Sequence, residues 1–321
     1  MSNRLIRDRD LLVGAGGMAV AHAHALAALG ITPRVFGRGE ASAARFRGQT
    51  GIEAGTGLLA DQISAERDLP ATAVVAVNAH ALAEVTETLM RAGVRRLLVE
   101  KPAALDLDEL DRLRAASRET GATVHVAYNR RFMASVLRAD DFIAEDGGIL
   151  SVRFDFTEPS ARIAGLGKPA RELATWFYGN STHVLDLALH FFGPPELLSA
   201  TVAGQGAIDW HPSGAVYAGY GRGPGNRVLS WHANWLAPGR WGVEVMTSRR
   251  KLILQPLERL RVQEQGSFAE VEVELEDGDD RAFLTGDRAE RLQDLEAHAR
   301  RVAFYECIRT GGTLAEGGQA R

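Results

Sequence analysis

A short apolar run, Leu11-Leu12-Val13, passes directly into Gly14-Ala15-Gly16-Gly17-Met18-Ala19 and then into an Ala-rich, helix-like stretch from Ala19 to Leu29. Strand, glycine turn and helix in that order constrain the fold more than any other segment of the chain. The Gly-x-Gly-x-x-Ala spacing fits a strand that turns sharply into a helix whose N-terminus receives phosphates. Gly14 permits the tight turn, Gly16 lets the backbone approach a pyrophosphate, and Ala19 keeps helix and strand close. Gly17 and Met18 complete the candidate dinucleotide-binding turn. By itself so short a motif also fits a purely structural turn, and the pattern around it has to decide.

From residue 11 to about 125, short apolar strands (Leu11 to Val13, Arg34 to Phe36, Ala73 to Val77, Leu97 to Val99, Thr123 to Ala127) alternate with helix-patterned segments. That alternation predicts an α/β domain over 1–125, a parallel sheet covered by helices on both faces. Beyond Phe132 the texture changes. Leu150 to Phe156, Val228 to Trp235, Gly242 to Met246 and Phe268 to Leu275 alternate apolar with polar residues, the period of a half-exposed antiparallel sheet. A second domain over 126–321 follows, with helices expected in only two places, His183 to Phe192 and Asp287 to Ile308. Gly221 to Gly225 reads as a loop and Glu276 to Asp280 as an acidic turn.

With 321 residues, 45% of them hydrophobic, the chain can bury two cores. Its 37 basic and 41 acidic residues nearly balance, so neither nucleic acid nor a membrane surface is the expected partner; a small molecule is. Met1 to Asp10 alternates charges without an apolar core, which argues against a secretory signal, and no run of 18 apolar residues occurs. A cytoplasmic location is the expectation. The single cysteine, Cys307, reads as a buried inert thiol.

Three positions carry candidate chemistry. The second strand ends Phe36-Gly37-Arg38-Gly39, without the carboxylate that would hold the ribose hydroxyls of NAD. Arg38 suits the 2'-phosphate of NADP through charge-assisted hydrogen bonds; the alternatives are a solvated surface charge and NAD as cofactor. Next, Glu100-Lys101-Pro102 follows the apolar run Leu97-Leu98-Val99 and puts an ammonium at a strand end, where it can hold a substrate hydroxyl and favour an alkoxide-like transition state. Two surface charges ahead of a helix beginning at Pro102 are the plainer reading. Finally, Asn180, Ser181 and Thr182 offer N-caps ahead of His183, which places that histidine in a first helical turn where the dipole disfavours imidazolium. Asp186, one turn on, pulls the other way and fixes a tautomer; a structural histidine is the other reading. His183, Asp186 and His190 share roughly one face, yet Leu187 packs between them and no further ligands accompany them, so no metal is expected.

Taken in order, these segments resemble the glucose-fructose oxidoreductase and inositol dehydrogenase family, Gfo/Idh/MocA. The resemblance rests on Gly14 to Ala19 with His22, Ala92-Gly93-Val94 leading to Glu100-Lys101-Pro102-Ala103, Tyr128-Asn129-Arg130-Arg131-Phe132, Gly148 to Phe154, His183 to Leu187 and Ile308 to Gly312. It implies a Rossmann domain followed by an α+β domain with a large, open, mainly antiparallel sheet, often used to form homodimers or homotetramers. It also implies hydride transfer between a nicotinamide and a sugar- or polyol-like hydroxyl, with Lys101 polarising the hydroxyl and His183 exchanging its proton, supported by Asp186. Gly14, Gly16, Gly17, Met18, Arg38, Asn78, Glu100 and Lys101 would then bind the cofactor. Lys101, Tyr128, Arg130, Arg171, Trp176, Asn180 and His183 would meet the substrate, with the basic residues Arg162, Lys168 and Arg171 suited to an anionic group and Trp176 to a sugar face.

Two departures stand out. The family commonly carries an aspartate four residues before the histidine, where this chain has Gly179, and Leu82 stands where a histidine is usual after the fourth strand. The glycine opens two further readings: a nucleotide-binding regulator without turnover, and a glycosidase that oxidises and re-reduces its sugar on retained NAD.

Overall fold

The computed structural model describes residues 6–7, 9–275, 284 and 288–315. The described chain divides into two compact units, Met1–Tyr128 with Asp280–His298, and Asn129–Asp279 with Ala299–Arg321. An unbroken second domain from 126 is therefore not what forms. A late segment returns to the first unit, because the two-residue strand Gln293–Asp294 pairs with an edge of its sheet.

In the first unit, β1 (Leu11–Val13), β2 (Arg34–Phe36), β3 (Ala54–Gly55), β4 (Thr72–Val75), β5 (Arg96–Glu100) and β6 (Thr123–Ala127) are parallel neighbours in the order β6-β5-β4-β1-β2-β3. The intervening helices are α1 (Gly17–Ala28), α2 (Glu40–Thr50), α3 (Leu59–Ser64), α4 (Leu82–Arg91) and α5 (Leu107–Thr120). Strand order reverses between β1 and β4. Successive crossovers there leave to opposite sides and open a crevice at the carboxyl ends of the strands.

Local chemistry explains these elements. α1 buries Ala19, His22, Ala23 and Leu26, one stripe at helical spacing. α5 does not begin at Pro102: Asp106 caps it by accepting from the Glu109 amide at 2.8 Å, while the Glu109 carboxylate accepts from the Leu105 amide at 2.8 Å.

In the second unit come α6 (Ala134–Glu145), β7 (Ser151–Asp155), the short helices α7 (Ser160–Ala164) and α8 (Ala170–Ala174), a π-helical turn over Phe177–Ser181, and α9 (Thr182–Phe192). They are followed by β8 (Leu197–Ala203), β9 (Val216–Gly223), β10 (Arg227–Asn234), β11 (Gly242–Met246), β12 (Arg250–Leu254), β13 (Arg261–Glu264) and β14 (Val271–Glu272). After β15 (Gln293–Asp294), α10 (Leu295–Thr310) leads to β16 (Gly312–Ala315). The sheet of this unit runs β14-β13-β12-β11-β7-β10-β9-β8-β16, antiparallel except where β10 lies parallel to β7.

Period-2 alternation is plain in β10, where Leu229, Trp231 and Ala233 are buried and Val228 and His232 exposed. α9 packs on β7 and β11. Three expectations change here. α6 adds a helix that the alternation beyond Phe132 concealed, with Val136 and Ala139 on its buried face. Residues 221–223 extend β9, so the loop shrinks to a turn at Pro224–Asn226. Of the stretch Phe268 to Leu275 only Val271–Glu272 pairs, and the Phe268 side chain is fully exposed. The acidic stretch at 276–280 and residue 287 lie outside the described residues.

Candidate functional site

The first unit holds a cleft of about 730 Å³ at the β1/β4 reversal. Its floor is the glycine turn. Gly14 sits at φ +129°, and a Cβ there would lie 2.2 Å from the Ala76 carbonyl oxygen, so both conformation and space demand glycine. Gly16 and Gly17 are different: a Cβ on either meets nothing within 4 Å, leaving their backbone open to the cleft. α1 starts there with Gly16 as N-cap, no side-chain cap and no acidic residue in its first turn. Its first amides are therefore available to an anion, and the dipole favours one. The residues fit a dinucleotide pyrophosphate.

Arg38 and Asn78 also line this cleft. Arg38 lies just past β2, where the chain is pinned by hydrogen bonds from the Gly57 amide to the Arg38 carbonyl (2.9 Å) and from Gln62 Nε2 to the Gly37 carbonyl (2.8 Å). Beside it stand Ser42, Arg45 and Gln49, spaced to share one face of α2, which the sequence reading missed. The signal was present as a polar stripe after the second strand. Met18 does not line the cleft; it is an exposed apolar residue in the first turn of α1.

Glu100 is also placed otherwise than expected. Its buried carboxylate bonds His22 Nε2 at 2.8 Å, tying the end of β5 to α1. Half-buried Lys101 follows, with a cis peptide to Pro102, whose carbonyl oxygen lies 3.0 Å from His298 Nε2. Tyr128 is buried with its ring 5.7 Å from that of His298. His22 and His298 thus brace the segment that presents Lys101.

A second constellation forms within the second unit. Trp176 and Asn180 converge on Glu158, and His183 lies beside Trp241, which acts on the same glutamate, whereas Arg130 pairs with Glu258 at 3.5 Å and Arg171 lies exposed on α8. Lys168 is engaged by Glu172 at 3.3 Å. Helical backbone runs through the π turn into α9, with Ser181 itself in the right-handed helical region and Thr182 Oγ1 donating to the Tyr178 carbonyl. His183 therefore does not occupy a free helix N-terminus, and the dipole argument made from its neighbours does not apply. A single π turn is a recurring device for displacing side chains at functional sites.

Asp186 is buried and committed. Arg131 grips it with Nε on Oδ2 at 2.7 Å and Nη2 on Oδ1 at 2.6 Å; Arg301 Nη1 donates to its carbonyl at 3.0 Å and Tyr305 to Oδ1 at 3.3 Å. Burial alone would raise its pKa, but the Arg131 and Arg301 guanidiniums outweigh burial and hold the carboxyl below its ordinary range. A carboxylate held ionised in this way is a poor proton acceptor, so the proton-transfer part anticipated for Asp186 gives way to an anchoring one.

The residue not foreseen is Glu158, three positions past β7. Its carboxylate accepts from Ser181 Oγ at 2.8 Å and from Asn180 Nδ2, 3.1 Å from each oxygen. Only 2% exposed, it has its pKa raised by burial to about 7, against the opposing influence of Ser181, Trp176, Asn180 and Trp241. The Trp241 and His183 rings lie 6.1 Å apart, and Trp176 meets Trp210 edge-on at 6.2 Å. No spacing in the sequence ties a glutamate after β7 to an asparagine 22 residues later.

Residues 9–128 match the model of an oxidoreductase family with an NAD-binding Rossmann fold, GFO_IDH_MocA. Over 126 residues the chain is 28% identical to scyllo-inositol 2-dehydrogenase (NADP(+)) IolW of Bacillus subtilis (strain 168), covering 38% of this chain and 35% of that protein. The match thus spans about a third of that curated relative. Among solved structures, an inositol dehydrogenase homolog of Azotobacter vinelandii, complexed with NADH and myo-inositol, superposes with a TM-score of 0.74 at 18% identity, over 98% of this chain and 99% of that one. UDP-N-acetylglucosamine 3-dehydrogenase GnnA of Acidithiobacillus ferrooxidans gives 0.72 at 20% identity, over 95% and 97%. These two share the fold.

Proposed function

We propose that this chain, which belongs to the Gfo/Idh/MocA family of NAD(P)-binding oxidoreductases, is a dehydrogenase or reductase acting on a CH–OH carbon of a polyol, sugar or sugar derivative. The observation that carries the reading is the glycine-floored cleft at the β1/β4 reversal, with uncapped amides of α1 beneath it and Arg38 at its rim. The named activities of the inositol and UDP-N-acetylglucosamine relatives support the substrate class.

When bound, the nicotinamide supplies the hydride acceptor or donor; the chain supplies everything else. The Gly14–Gly17 turn binds the pyrophosphate through backbone amides, and Asn78 lines the same cleft. Arg38, with Ser42 and Arg45 beside it, gives NADP the advantage over NAD, because a guanidinium pairs with the 2'-phosphate and stands just past the end of β2 in place of a ribose-binding carboxylate. Lys101 orients and polarises the reacting hydroxyl, stabilising developing negative charge on its oxygen. His183 takes the hydroxyl proton in oxidation and returns it in reduction.

The test is NAD(P)H formation with inositols and UDP-N-acetylglucosamine, on the wild type and on Lys101→Ala and His183→Ala. Each variant should lose at least about a hundredfold in kcat while binding nucleotide as the wild type does. Wild-type protein that binds nucleotide yet reduces none of it across the panel would overturn the enzymatic reading; undiminished turnover in either variant would remove that residue's role.

A further inference from the structure

The missing carboxylate at 179 is not excluded by space: a Cβ on Gly179 would meet nothing within 4 Å. The next residue carries an amide, and a buried carboxylate from the segment after β7 grips that amide. Asn180 Nδ2 lies 3.1 Å from both Glu158 oxygens, the amide orientation that an ionised carboxylate requires, since in that form it only accepts. Asn180 is half-buried and its Oδ1 makes no hydrogen bond among the described residues. The glutamate is itself fixed, by Ser181 Oγ at 2.8 Å and by a backbone turn in which the Ser160 amide donates to the Glu158 carbonyl at 2.9 Å.

We propose that Glu158 is a positioning residue that locks the Asn180 amide with its oxygen presented as a hydrogen-bond acceptor, three residues from His183, and so selects a neutral hydroxyl at that point of the substrate. The inference rests on the function proposed above. Chemistry favours a hydroxyl over an anionic group at this subsite. An amide oxygen accepts from a hydroxyl and repels a carboxylate or phosphate, and Trp176 and Trp241, whose indole N–H groups act on Glu158, bring two aromatic side chains to the same place, as suits a sugar or cyclitol.

Protonation undoes the lock. A neutral Glu158 can donate to Asn180 Oδ1, and the amide then gains by turning over. The groups that act on Glu158 most strongly, Ser181, Trp176, Asn180 and Trp241, are all neutral. The titratable residues on the adjoining segments are Asp155 at the end of β7, Arg162 on α7, Lys168 ahead of α8, Arg171 and Glu172 on α8, Tyr178 in the π turn, His183, Asp186 and His190 on α9, and Arg240 beside Trp241. Glu172 is already paired with Lys168.

The experiment follows the side-chain amide of Asn180 in full-length protein labelled with [15N]asparagine, its signal identified by loss in Asn180→Ala. In the wild type the signal should move with pH about a midpoint near 7; in Glu158→Gln the movement should vanish, because a glutamine satisfies either orientation of the asparagine. For an inositol that the wild type oxidises above that midpoint, Glu158→Gln should raise KM several-fold to about tenfold with kcat nearly unchanged. A pH-independent signal in the wild type, the same titration in both proteins, or an unchanged KM would overturn the proposal. Failure of the wild type to oxidise any inositol bears on the enzymatic reading, and the amide titration still decides the lock.

Discussion

Arg131 and Asp186 form a two-pronged buried ion pair that fastens the segment after β6 to the middle of α9. Arg301 and Tyr305 close around the same carboxylate from α10, so donors from two segments far apart in the sequence meet on it. Tyr128 to Phe132, part of the family resemblance, thereby acquires a physical reason: its second arginine is the partner of an aspartate on the helix that bears His183.

Asp186→Asn leaves two guanidiniums facing a neutral amide inside the protein. Breaking one partner out of a buried pair costs about 3–5 kcal/mol, and denaturant titration at pH 7 should show a loss of that order. The folded-state pKa of Asp186 is depressed, so the stability it contributes is present above the unfolded-state carboxylate range and fades as pH falls through the folded value. The gap between wild type and variant should therefore narrow in strong acid.

Glu158 has the opposite sign. Its pKa is raised from 4.5 to about 7 in the folded protein, so the folded state holds a proton that the unfolded state has released. Its penalty is absent below about pH 4.5, grows through the window up to about 7 and is complete above it. Glu158→Gln should therefore gain stability relative to wild type between pH 5 and pH 8, by up to about 3 kcal/mol. A difference between the two proteins that stays flat over that range would contradict the placement of the carboxyl.

Gly14→Ala should abolish nucleotide binding, since the added methyl meets the Ala76 carbonyl at 2.2 Å in a backbone conformation that alanine rarely adopts. Gly17→Ala, where a Cβ finds open space, should be much milder. Comparing the two by NADPH titration separates the turn's geometry from simple loss of a glycine.

The first unit was largely legible because its information is local. Strand, glycine turn and helix are contiguous, and β1, β2 and β6 fall where the apolar runs lie. Residues of the second constellation were legible only in part. Asn180 and His183 stand close in sequence and were found; Glu158 reaches them through a turn after another strand and was not. The π turn escaped notice for a similar reason, since Asn180-Ser181-Thr182 has the composition of a helix cap and only the preceding residues continue the helix through it. Asp186 was read as a partner of His183 because four residues on one helix are visible together, whereas Arg131, Arg301 and Tyr305 arrive from far along the chain.

The central claim is a nicotinamide nucleotide in the cleft of the first unit, and it is tested most directly by fluorescence titration of the wild type with NADPH and with NADH. The account predicts saturable binding of both, tighter for NADPH, with the preference reduced roughly tenfold by Arg38→Ala. Binding of neither nucleotide would contradict it, and an equal effect of Arg38→Ala on both would remove the 2'-phosphate assignment.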